Sequence, residues 1–546
     1  MKYLLPFLVL LVACGRSQPA KEAADLLVHN AVVYTVDSTF AVAEAFAVRD
    51  GKFIAVGTSQ DLLARFAPTR TVDAGGQPIY PGFIDAHCHF LRYGLSLRNA
   101  DLTDTQSWTQ VLERVQAHRQ QYPNNAWIVG RGWDQNDWPQ KAFPDRAELD
   151  KRFPDVPVLL TRVDGHAAIA NGKALALAGL TVKTKVEGGV IESKKGRLTG
   201  ILVDNAVDLV AKLVPPPTRR ELAEAVTAAA QNCLAVGLTT VDDAGLDRLH
   251  AELLDSLYTR RSLPVRTYLM LNPDSANLAY YLKEGPYKTD WLNVRSFKVY
   301  ADGALGSRGA FLLQPYADRP QERGFLITPA ARMDSLARLC YGAGFQMNTH
   351  CIGDSAVRLV LELYGKVLGG ANDRRWRMEH AQVVALADLP KFGQYGVIPS
   401  VQPTHATSDM YWVAERLGTQ RAKTAYTFRQ LQAQGGRLAL GSDFPVEAIN
   451  PLFGFHAAVA RQDAQNFPKG GYQPENALSR PDALRGMTSW AAYANFEEDE
   501  KGSITPGKLA DFVILAEDIL TVPAEKLRQV RVASTWVGGV RRYSKQ

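Results

Sequence analysis

The stretch Tyr80-Pro-Gly-Phe-Ile-Asp-Ala-His-Cys-His89 ends a short apolar run in two histidines. An apolar run of this length is typical of a buried β-strand. Residues i and i+2 of a strand point to the same side, so His87 and His89 are expected to face one site. A pair of histidines alone is weak evidence for a metal site. It becomes stronger if further potential ligands lie at the ends of other predicted strands.

Further β-rich runs follow this one, and helical patterns separate most of them. They span residues 239–242, 265–270, 294–299, 345–349, 376–379, 397–401 and 437–440. Strands that alternate with helices indicate βα units. Together with residues 82–86 these runs give eight strands, so the sequence predicts an α/β fold built on a TIM-like (β/α)8 barrel.

The spacing of the strands predicts where the barrel is interrupted. A barrel of about 250 residues has roughly 31 residues in each βα unit, whereas the interval from residue 89 to residue 239 is several times longer. We therefore expect an inserted subdomain at about residues 100–215, after the first barrel strand. The interval from Gly303 to Gly324 is also long, and loops at that face of a barrel carry function.

Both ends of the chain carry short β-rich segments with hairpin signals. Asp50-Gly51 separates two apolar runs near the N-terminus, and Gly538-Gly539 does so near the C-terminus. These segments predict a small composite β-sandwich domain formed by residues 25–80 and 499–546. The barrel with its insertion would then occupy residues 81–498.

The first residues resemble a secretion signal that ends in a lipoprotein cleavage site. Lys2 precedes an apolar run, and residues 1–13 are too short to span a bilayer as a mature helix. Leu11-Val-Ala-Cys14 resembles the site at which bacteria attach lipid to a cysteine. We expect residues 14–24 to be a tether from Cys14, and the protein to be anchored to the membrane of the bacterial cell envelope, on the periplasmic or outer-surface side. An ordinary secretory signal with an incidental cysteine is the alternative.

The overall composition restricts the class of protein. Of 546 residues, 46% are hydrophobic and 22% are charged, which is typical of a folded globular protein. The net charge of +6 is small against 62 basic and 56 acidic residues, and the absence of a basic tract argues against a nucleic-acid partner. Besides Cys14, the cysteines are widely scattered, which favours buried apolar residues over disulfides.

Polar residues recur where the predicted strands end, at the catalytic rim of such a barrel. His350 closes the fifth strand, His380 the sixth and Asp443 the eighth. The chain has ten histidines, and four of them lie at predicted strand ends. Surface histidines with no common function would not be expected to recur at this position. Imidazole and carboxylate groups are zinc ligands, so these residues with His87 and His89 predict a metal site.

Several longer motifs support a family resemblance. They are Tyr80 to His89, Arg162-Val-Asp-Gly-His-Ala167, Phe297-Lys-Val-Tyr-Ala-Asp-Gly-Ala304, Arg377-Met-Glu-His-Ala-Gln382, Gly441-Ser-Asp-Phe-Pro445 and Gly502-Ser-Ile-Thr-Pro-Gly-Lys-Leu-Ala-Asp-Phe512. Across the mature chain the sequence resembles the amidohydrolase superfamily of metal-dependent hydrolases. More narrowly, it is similar to amidohydrolase family 3, the N-substituted formamide deformylase-like group.

The resemblance implies a binuclear site that includes a modified lysine. Lys298 matches the lysine that carbon dioxide converts to a carbamate, an anionic group able to bridge two metals; a surface lysine that follows a strand is the alternative. Two divalent ions are implied, with Zn2+ expected, although the same ligands suit other divalent metals. One ion would be held by His87, His89, Lys298 and Asp443, and the other by Lys298, His350 and His380.

The reaction implied is hydrolysis of a carbon–nitrogen bond other than a peptide bond. A metal-activated water would attack the carbonyl of a small amide, formamide or cyclic amide, and Asp443 would pass the proton to the leaving amine. If Lys298 is not carboxylated, a mononuclear hydrolase or deaminase is the alternative. A non-catalytic binding lipoprotein on the same scaffold is a further alternative, but every expected ligand position is filled.

Four further residues are candidates for substrate binding. They are His166, Trp133, Arg308 and His405. His166 could equally order its own loop, Trp133 could pack in a core, and Arg308 could pair with an anionic substrate group or be solvated. His405 follows the seventh strand, at the rim. The small-molecule partner is not identified by the sequence, and a homo-oligomer is left open.

Overall fold

The structure is a computed structural model that describes residues 21–162, 167–186 and 189–545. The predicted signal peptide, the lipid-attachment residue Cys14 and the candidate His166 lie outside these described residues. Lipid attachment, the anchored location and the substrate role of His166 therefore stay predictions.

Eight parallel strands form a single sheet that curls into a nearly closed barrel. In chain order they are Phe83–Cys88, Leu238–Leu246, Arg266–Leu271, Leu292–Tyr300, Gln346–Cys351, Arg377–His380, Ile398–Val401 and Ala439–Leu440. Each strand pairs with the next one along the chain, and a short strand, Tyr287–Lys288, pairs antiparallel with the fourth. The backbone N–H of Asp443 donates to the carbonyl of His87 at 2.7 Å, which links the segment after the eighth strand to the first. The predicted (β/α)8 barrel is confirmed.

Helices cover the outside of the barrel and its two ends. They are Phe90–Ser96, Arg219–Ala235, Arg248–Thr259, Ser275–Glu284, Ala330–Ala343, Asp354–Leu368, Leu389–Tyr395, Pro403–Asp409, Val413–Leu417, Thr419–Ala422, Phe428–Gly435, Pro451–Ala460, Arg480–Gly486 and Ser489–Ala494. Thr218 and Glu221 form a capping box at the start of helix Arg219–Ala235. The apolar faces of these helices and the outward faces of the strands form the main hydrophobic core.

Segments from both chain ends form two further sheets beside the barrel. One sheet runs in the order Val540–Ser544, Val532–Val537, Phe512–Leu515, Pro78–Pro81, Val32–Tyr34 and Val42–Ala43; the other runs Lys52–Gly57, Ala45–Arg49, Glu22–His29 and Phe66–Asp73, with helix Ser59–Arg65 beside it. Phe46 and Phe53 from the N-terminal segment pack with Phe512 and Trp536 from the C-terminal one. The predicted composite β-sandwich is confirmed.

Two local details of this composite domain follow from its sequence. Asp50 and Gly51 have φ angles of 53° and 74°, the left-handed backbone that a tight hairpin turn requires. Strand Glu22–His29 begins inside the range 14–24 that the sequence assigned to the tether. Residues 22–24 instead pair in parallel with residues 66–68, because they extend the same strand as the buried Leu26 and Val28.

The inserted subdomain has its own sheet, which follows the first barrel strand in the chain as predicted. Its strands run in the order Gly189–Lys194, Arg197–Asp204, Ala167–Ala170, Val158–Arg162, Ile128–Trp133 and Ala100–Asp101. Its helices are Trp108–Gln121, Ala147–Arg152, Gly172–Leu177 and Asn205–Ala211. Two apolar clusters on the two faces of this sheet give the subdomain a core separate from that of the barrel.

Three short 3₁₀ helices complete the secondary structure, at Gln135–Asp137, Pro474–Asn476 and Ala524–Gln529. The cysteines of the described residues, Cys88, Cys233, Cys340 and Cys351, are buried and free. Within the described part of the chain, no helix has both the length and the apolar character that a bilayer crossing needs.

Candidate metal centre

The first and eighth barrel strands bring two histidines and an aspartate together. His89 Nε2 lies 3.2 Å and His87 Nε2 lies 3.6 Å from Asp443 Oδ1. Ligand atoms of all three residues lie within 4.8 Å of one another. Gly441 permits this approach, because a Cβ at that position would lie 2.5 Å from the backbone nitrogen of His87. Together these contacts create a three-ligand cluster at the carboxyl ends of the strands.

A second cluster shares Asp443 with the first. Ligand atoms of His380, His405 and Asp443 also lie within 4.8 Å of one another, and His405 Nε2 is 3.9 Å from Asp443 Oδ2. The ring of His350 lies with its centroid 4.5 Å from that of His380. The rings of His380 and His405 stack at 6.0 Å. The structure therefore brings His350 and His380 together as expected, and it adds His405 to them.

Lys298 is buried inside the barrel and is not exposed on the surface. Its side chain leaves the fourth strand with only 1% of the residue exposed, and Nζ lies 3.1 Å from His87 Nε2. Burial lowers the pKa of Lys298, and the carboxylates of Glu379 and Asp443 offset this only in part. The neutral amine is the form that can react with carbon dioxide, so the environment favours the reactive form.

The imidazoles of this region are held in their neutral form. Burial, together with nearby Lys298, lowers the pKa of His350 to about 3. Burial also lowers the pKa of His87, and it places that of His380 well below its usual value. Neutral imidazole is the form that binds a metal ion.

Asp443 stays ionised although it is buried. Burial opposes ionisation, but the contact with His89 Nε2 holds the pKa of Asp443 well below its usual range. An ionised carboxylate among neutral imidazoles is the charge state that a divalent cation requires.

Several donor atoms of these side chains face the interior without a protein partner. His350 Nε2 and His405 Nε2 are buried, and neither has a hydrogen-bond partner among the described residues. Buried polar atoms are normally satisfied, because an unpaired one costs about 1–3 kcal/mol. Imidazole nitrogens and a carboxylate are suitable ligands for zinc and related divalent ions. The residues present therefore fit a divalent metal ion.

Outer hydrogen bonds orient three of the histidine rings. Nδ1 of His87 lies 2.5 Å from Glu379 Oε2, that of His89 lies 2.9 Å from the carbonyl of Ala244, and that of His380 lies 2.6 Å from Gln402 Oε1. A partner that accepts from Nδ1 leaves Nε2 free to bind a metal. Each ring is therefore set to present Nε2 to the site.

Glu379 and Gln402 were not singled out as functional residues by the sequence, and neither was Asp85. Asp85 Oδ1 accepts from the backbone N–H of Ser442 at 3.0 Å, and Oδ2 accepts from the Ser442 hydroxyl at 2.6 Å, which ties the first strand to the segment after the eighth. The one available signal for Glu379 was its position two residues after Arg377, on the same side of the sixth strand. Nothing in the local sequence marked Gln402 beyond its place at a strand end.

The other substrate-binding candidates lie in different settings. Trp133 is fully buried in the core of the inserted subdomain, where its Nε1 donates to the Leu160 carbonyl at 2.8 Å. Its ring fills that core, and no face of it is exposed to solvent. Arg308 pairs with Asp318 at 2.5 Å, and Asp318 also pairs with Arg416 at 2.6 Å. Substrate roles for Arg308 and His405 stay predictions.

Known proteins are similar to this chain over nearly its whole length. The profile of the amidohydrolase family matches residues 70–543. Protein LONG AFTER FAR-RED 3 of Arabidopsis thaliana is 34% identical over 545 residues, which cover 96% of this chain and 92% of that protein. N-substituted formamide deformylase of Arthrobacter pascens is 28% identical over 542 residues, which cover 95% of this chain and 98% of that enzyme. A solved metal-dependent hydrolase of Pyrococcus horikoshii has a TM-score of 0.78 and 26% identity, with coverage of 91% of this chain and 99% of that one.

Proposed function

The chain belongs to the amidohydrolase family, whose profile covers residues 70–543, and on this premise we propose that it hydrolyses the carbon–nitrogen bond of a small amide, formamide or cyclic amide. The general activity is that of a metal-dependent hydrolase. A C–N bond as the target draws support from the similarity to N-substituted formamide deformylase over 95% of this chain. Peptide bonds are not part of the proposal.

One observation supports the proposal most strongly, which is the convergence of buried ligand side chains at the carboxyl ends of the barrel strands. His87 comes from the first strand, Lys298 from the fourth, His350 from the fifth and His380 from the sixth, while Asp443 follows the eighth. This end of a (β/α)8 barrel is where catalytic residues lie. A binding protein without activity would have no need to keep every one of these positions filled.

In the proposal these side chains hold two divalent ions, with Zn2+ as the expected metal. His87, His89, Lys298 and Asp443 would hold one ion, and Lys298, His350 and His380 the other, with Lys298 as its carbamate. Bound divalent ions lower the pKa of water and polarise a carbonyl group. Neutral Lys298 is the precursor that the carbamate requires, and burial lowers the pKa of Lys298 in the direction of that form.

The chain's own residues supply the proton transfer and the dry surroundings. Asp443 is ionised and buried, so its carboxylate can accept the proton that the attacking water loses and deliver it to the leaving nitrogen. The C–N bond breaks as that nitrogen is protonated. The products are a carboxylic acid and an amine, or a single ring-opened amino acid when the substrate is a cyclic amide. The imidazole of His87 and the carboxylate of Glu379 are fully buried, so bulk water does not reach this part of the site.

A substrate screen tests this proposal. Metal-loaded protein would be assayed for amine release from N-formyl, N-acyl and cyclic amides, with Asp443→Asn as the matched inactive control. We expect at least one of these classes to be hydrolysed by wild type alone. Deamination of a heterocycle, or no C–N hydrolysis in a panel that includes all three classes, would contradict the proposal.

One observation favours a mononuclear alternative. Ligand atoms of His87, His89 and Asp443 lie within 4.8 Å of one another, and so do those of His380, His405 and Asp443, so histidine and carboxylate groups alone could hold one ion. A single ion on either cluster would leave Lys298 unmodified. The number of metal ions per chain distinguishes the two possibilities.

A second part of the proposal concerns location. We propose that Cys14 carries lipid and anchors the enzyme to the cell envelope, which rests on the signal-like residues 1–13. Radiolabelled lipid should be incorporated into wild type and not into Cys14→Ala. Equal labelling of both proteins would contradict the anchor.

A further inference from the structure

The histidines at the strand ends differ in the chemistry of the group behind them. Behind His87 stands a carboxylate, Glu379 Oε2, at 2.5 Å from Nδ1. Behind His380 stands a neutral amide, Gln402 Oε1, at 2.6 Å, and behind His89 a backbone carbonyl at 2.9 Å. His87 therefore has an anionic outer partner, whereas the outer partner of His380 is neutral. The carboxylate near His350 is that of Asp302, whose Oδ1 lies 3.9 Å from His350 Nε2, beyond hydrogen-bond distance.

The pair of His87 and Glu379 is fully buried. Both side chains have 0% exposure, so solvent does not weaken the hydrogen bond between them. A carboxylate accepts a stronger hydrogen bond than an amide does, and it raises the basicity of the imidazole that donates to it. Nε2 of His87 is thereby turned toward Lys298 Nζ, which lies 3.1 Å away.

The sixth barrel strand also contacts the backbone next to His87. Nη1 of Arg377 donates to the carbonyl of Ala86 at 2.9 Å and pairs with Asp242 at 3.0 Å. Arg377 and Glu379 are two residues apart on one side of that strand, so they reach the first strand together. The backbone before His87 and the ring of His87 are both fixed from across the barrel.

The hydrogen bond that orients His380 is weaker than the one that orients His87, because its acceptor is a neutral amide. Gln402 is buried, and its Nε2 donates to the carbonyl of Ser400 at 3.4 Å, a long contact. Its Oε1 carries no full charge, so it adds less basicity to the imidazole of His380 than a carboxylate would. Glutamine and glutamate differ little in size, which makes the two partners exchangeable in an experiment.

We propose that Glu379 is a positioning residue that makes the ion on His87 and His89 the more tightly bound of the two. This inference rests on the proposed function, because it needs two ions in one site. The ion on His350 and His380 is then the one that leaves first when a chelator competes. Glu379 acts through His87 and does not itself hold the metal.

Stepwise metal removal from the holoenzyme tests the wild-type part of the inference. Zinc released to a competing chelator would be followed together with the zinc that stays bound per chain. We expect two steps, with the first ion lost from the His350 and His380 side, as located by anomalous diffraction of the partly stripped protein. Release of both ions with one affinity, or loss of the His87 ion first, would overturn the proposal.

Two exchange variants sharpen the test. Glu379→Gln should weaken the tight ion by about 10- to 100-fold and leave the weaker ion unchanged, since loss of such an outer partner typically has that effect. Gln402→Glu is the reciprocal variant, and it should tighten the weaker ion. Equal weakening of both ions by Glu379→Gln, or no change in either, contradicts the positioning role.

A spectroscopic readout separates positioning from a general loss of stability. In wild type, nitrogen-15 NMR of the metal-free protein should show His87 protonated at Nδ1, and Glu379→Gln should reduce that preference while His380 keeps its own. An unchanged His87 tautomer in Glu379→Gln would overturn the proposal. Failure of wild type to bind any divalent ion would overturn the proposed function as well, whereas two ions with equal affinity would overturn this inference alone.

Discussion

Two regions of the molecule bury polar ring nitrogens but differ in the hydrogen bonds that these nitrogens make. One is the core of the inserted subdomain. The other is the strand-end cluster, by which we mean the histidines and Asp443 at the carboxyl ends of the barrel strands. In the subdomain, Trp133 Nε1 donates to the Leu160 carbonyl and Trp138 Nε1 donates to the Thr105 carbonyl, at 2.8 and 2.9 Å. In the cluster, Nε2 of His350 and of His405 has no such partner within the described residues. The subdomain also has one unsatisfied ring nitrogen, His118 Nδ1, but it stands alone. Several unsatisfied ligand atoms that converge on one point are what a bound ion would explain. Substitutions in the strand-end cluster should therefore lower activity, whereas substitutions in the core of the subdomain should lower stability.

The largest effect is expected in the cluster, at Asp443. Asp443→Asn should lower kcat by about 10³-fold, because an amide neither accepts the proton from water nor carries the charge that a divalent ion needs. The barrel should stay folded, since the residue closes no apolar core. Steady-state kinetics and a thermal melt measure the two quantities, and an active Asp443→Asn enzyme would remove the proton-transfer role.

In the subdomain the effect should fall on stability. Trp133→Ala should cost about 3–5 kcal/mol of folding free energy, because it leaves a cavity in a fully buried core. At temperatures where the variant is folded, kcat should stay close to that of wild type. Trp133→Phe is the milder control, which keeps an aromatic ring but loses the hydrogen bond to Leu160 and part of the buried volume, so it should cost less stability than Trp133→Ala. A fall in kcat with unchanged stability would return Trp133 to the substrate site.

The cluster should also make the metal-free protein sensitive to acid. Burial, aided by Lys298, lowers the pKa of His350 to about 3 in the fold, against 6.5 for an ordinary histidine. A group with a lowered folded pKa stabilises the fold fully above pH 6.5, and that contribution is lost as the pH falls toward 3. We expect the free energy of unfolding of the metal-free protein to decline over this range, with the change measured by denaturant titration. His350→Gln should give a shallower decline, and an identical slope would contradict the assignment.

The smallest effect is expected at the long loop after the fourth strand. Arg308 and Asp318 are partly exposed, at 24% and 15% of their side chains, so their ion pair should contribute about 1 kcal/mol or less. Arg308→Gln should change KM by less than about threefold for neutral and anionic substrates alike, because Arg416 still pairs with Asp318. A selective rise in KM for anionic substrates would show instead that Arg308 contacts the substrate.

The same contrast explains how much could be predicted from the sequence. The eight strands were predictable because their apolar runs are local, and His87, His350, His380 and Asp443 were predictable because each follows such a run. Glu379 was not, since its contact with His87 joins residues 292 positions apart in the chain. The ion pair between Arg308 and Asp318 likewise depends on how the loop folds, so the local sequence did not predict it. The burial of Trp133 could not be predicted either. Its core is formed by several strands and helices of the inserted subdomain, and no single segment of sequence shows how these pack together.

The most direct test of the account is the location of metal in crystals of the wild-type protein. The central claim is that the barrel's ligand residues would hold two divalent ions; these residues are His87, His89, Lys298, His350, His380 and Asp443. Anomalous diffraction at the zinc edge should give two peaks, one against His87 and His89 and one against His350 and His380. A single peak, or none in a correctly folded barrel, would contradict the claim.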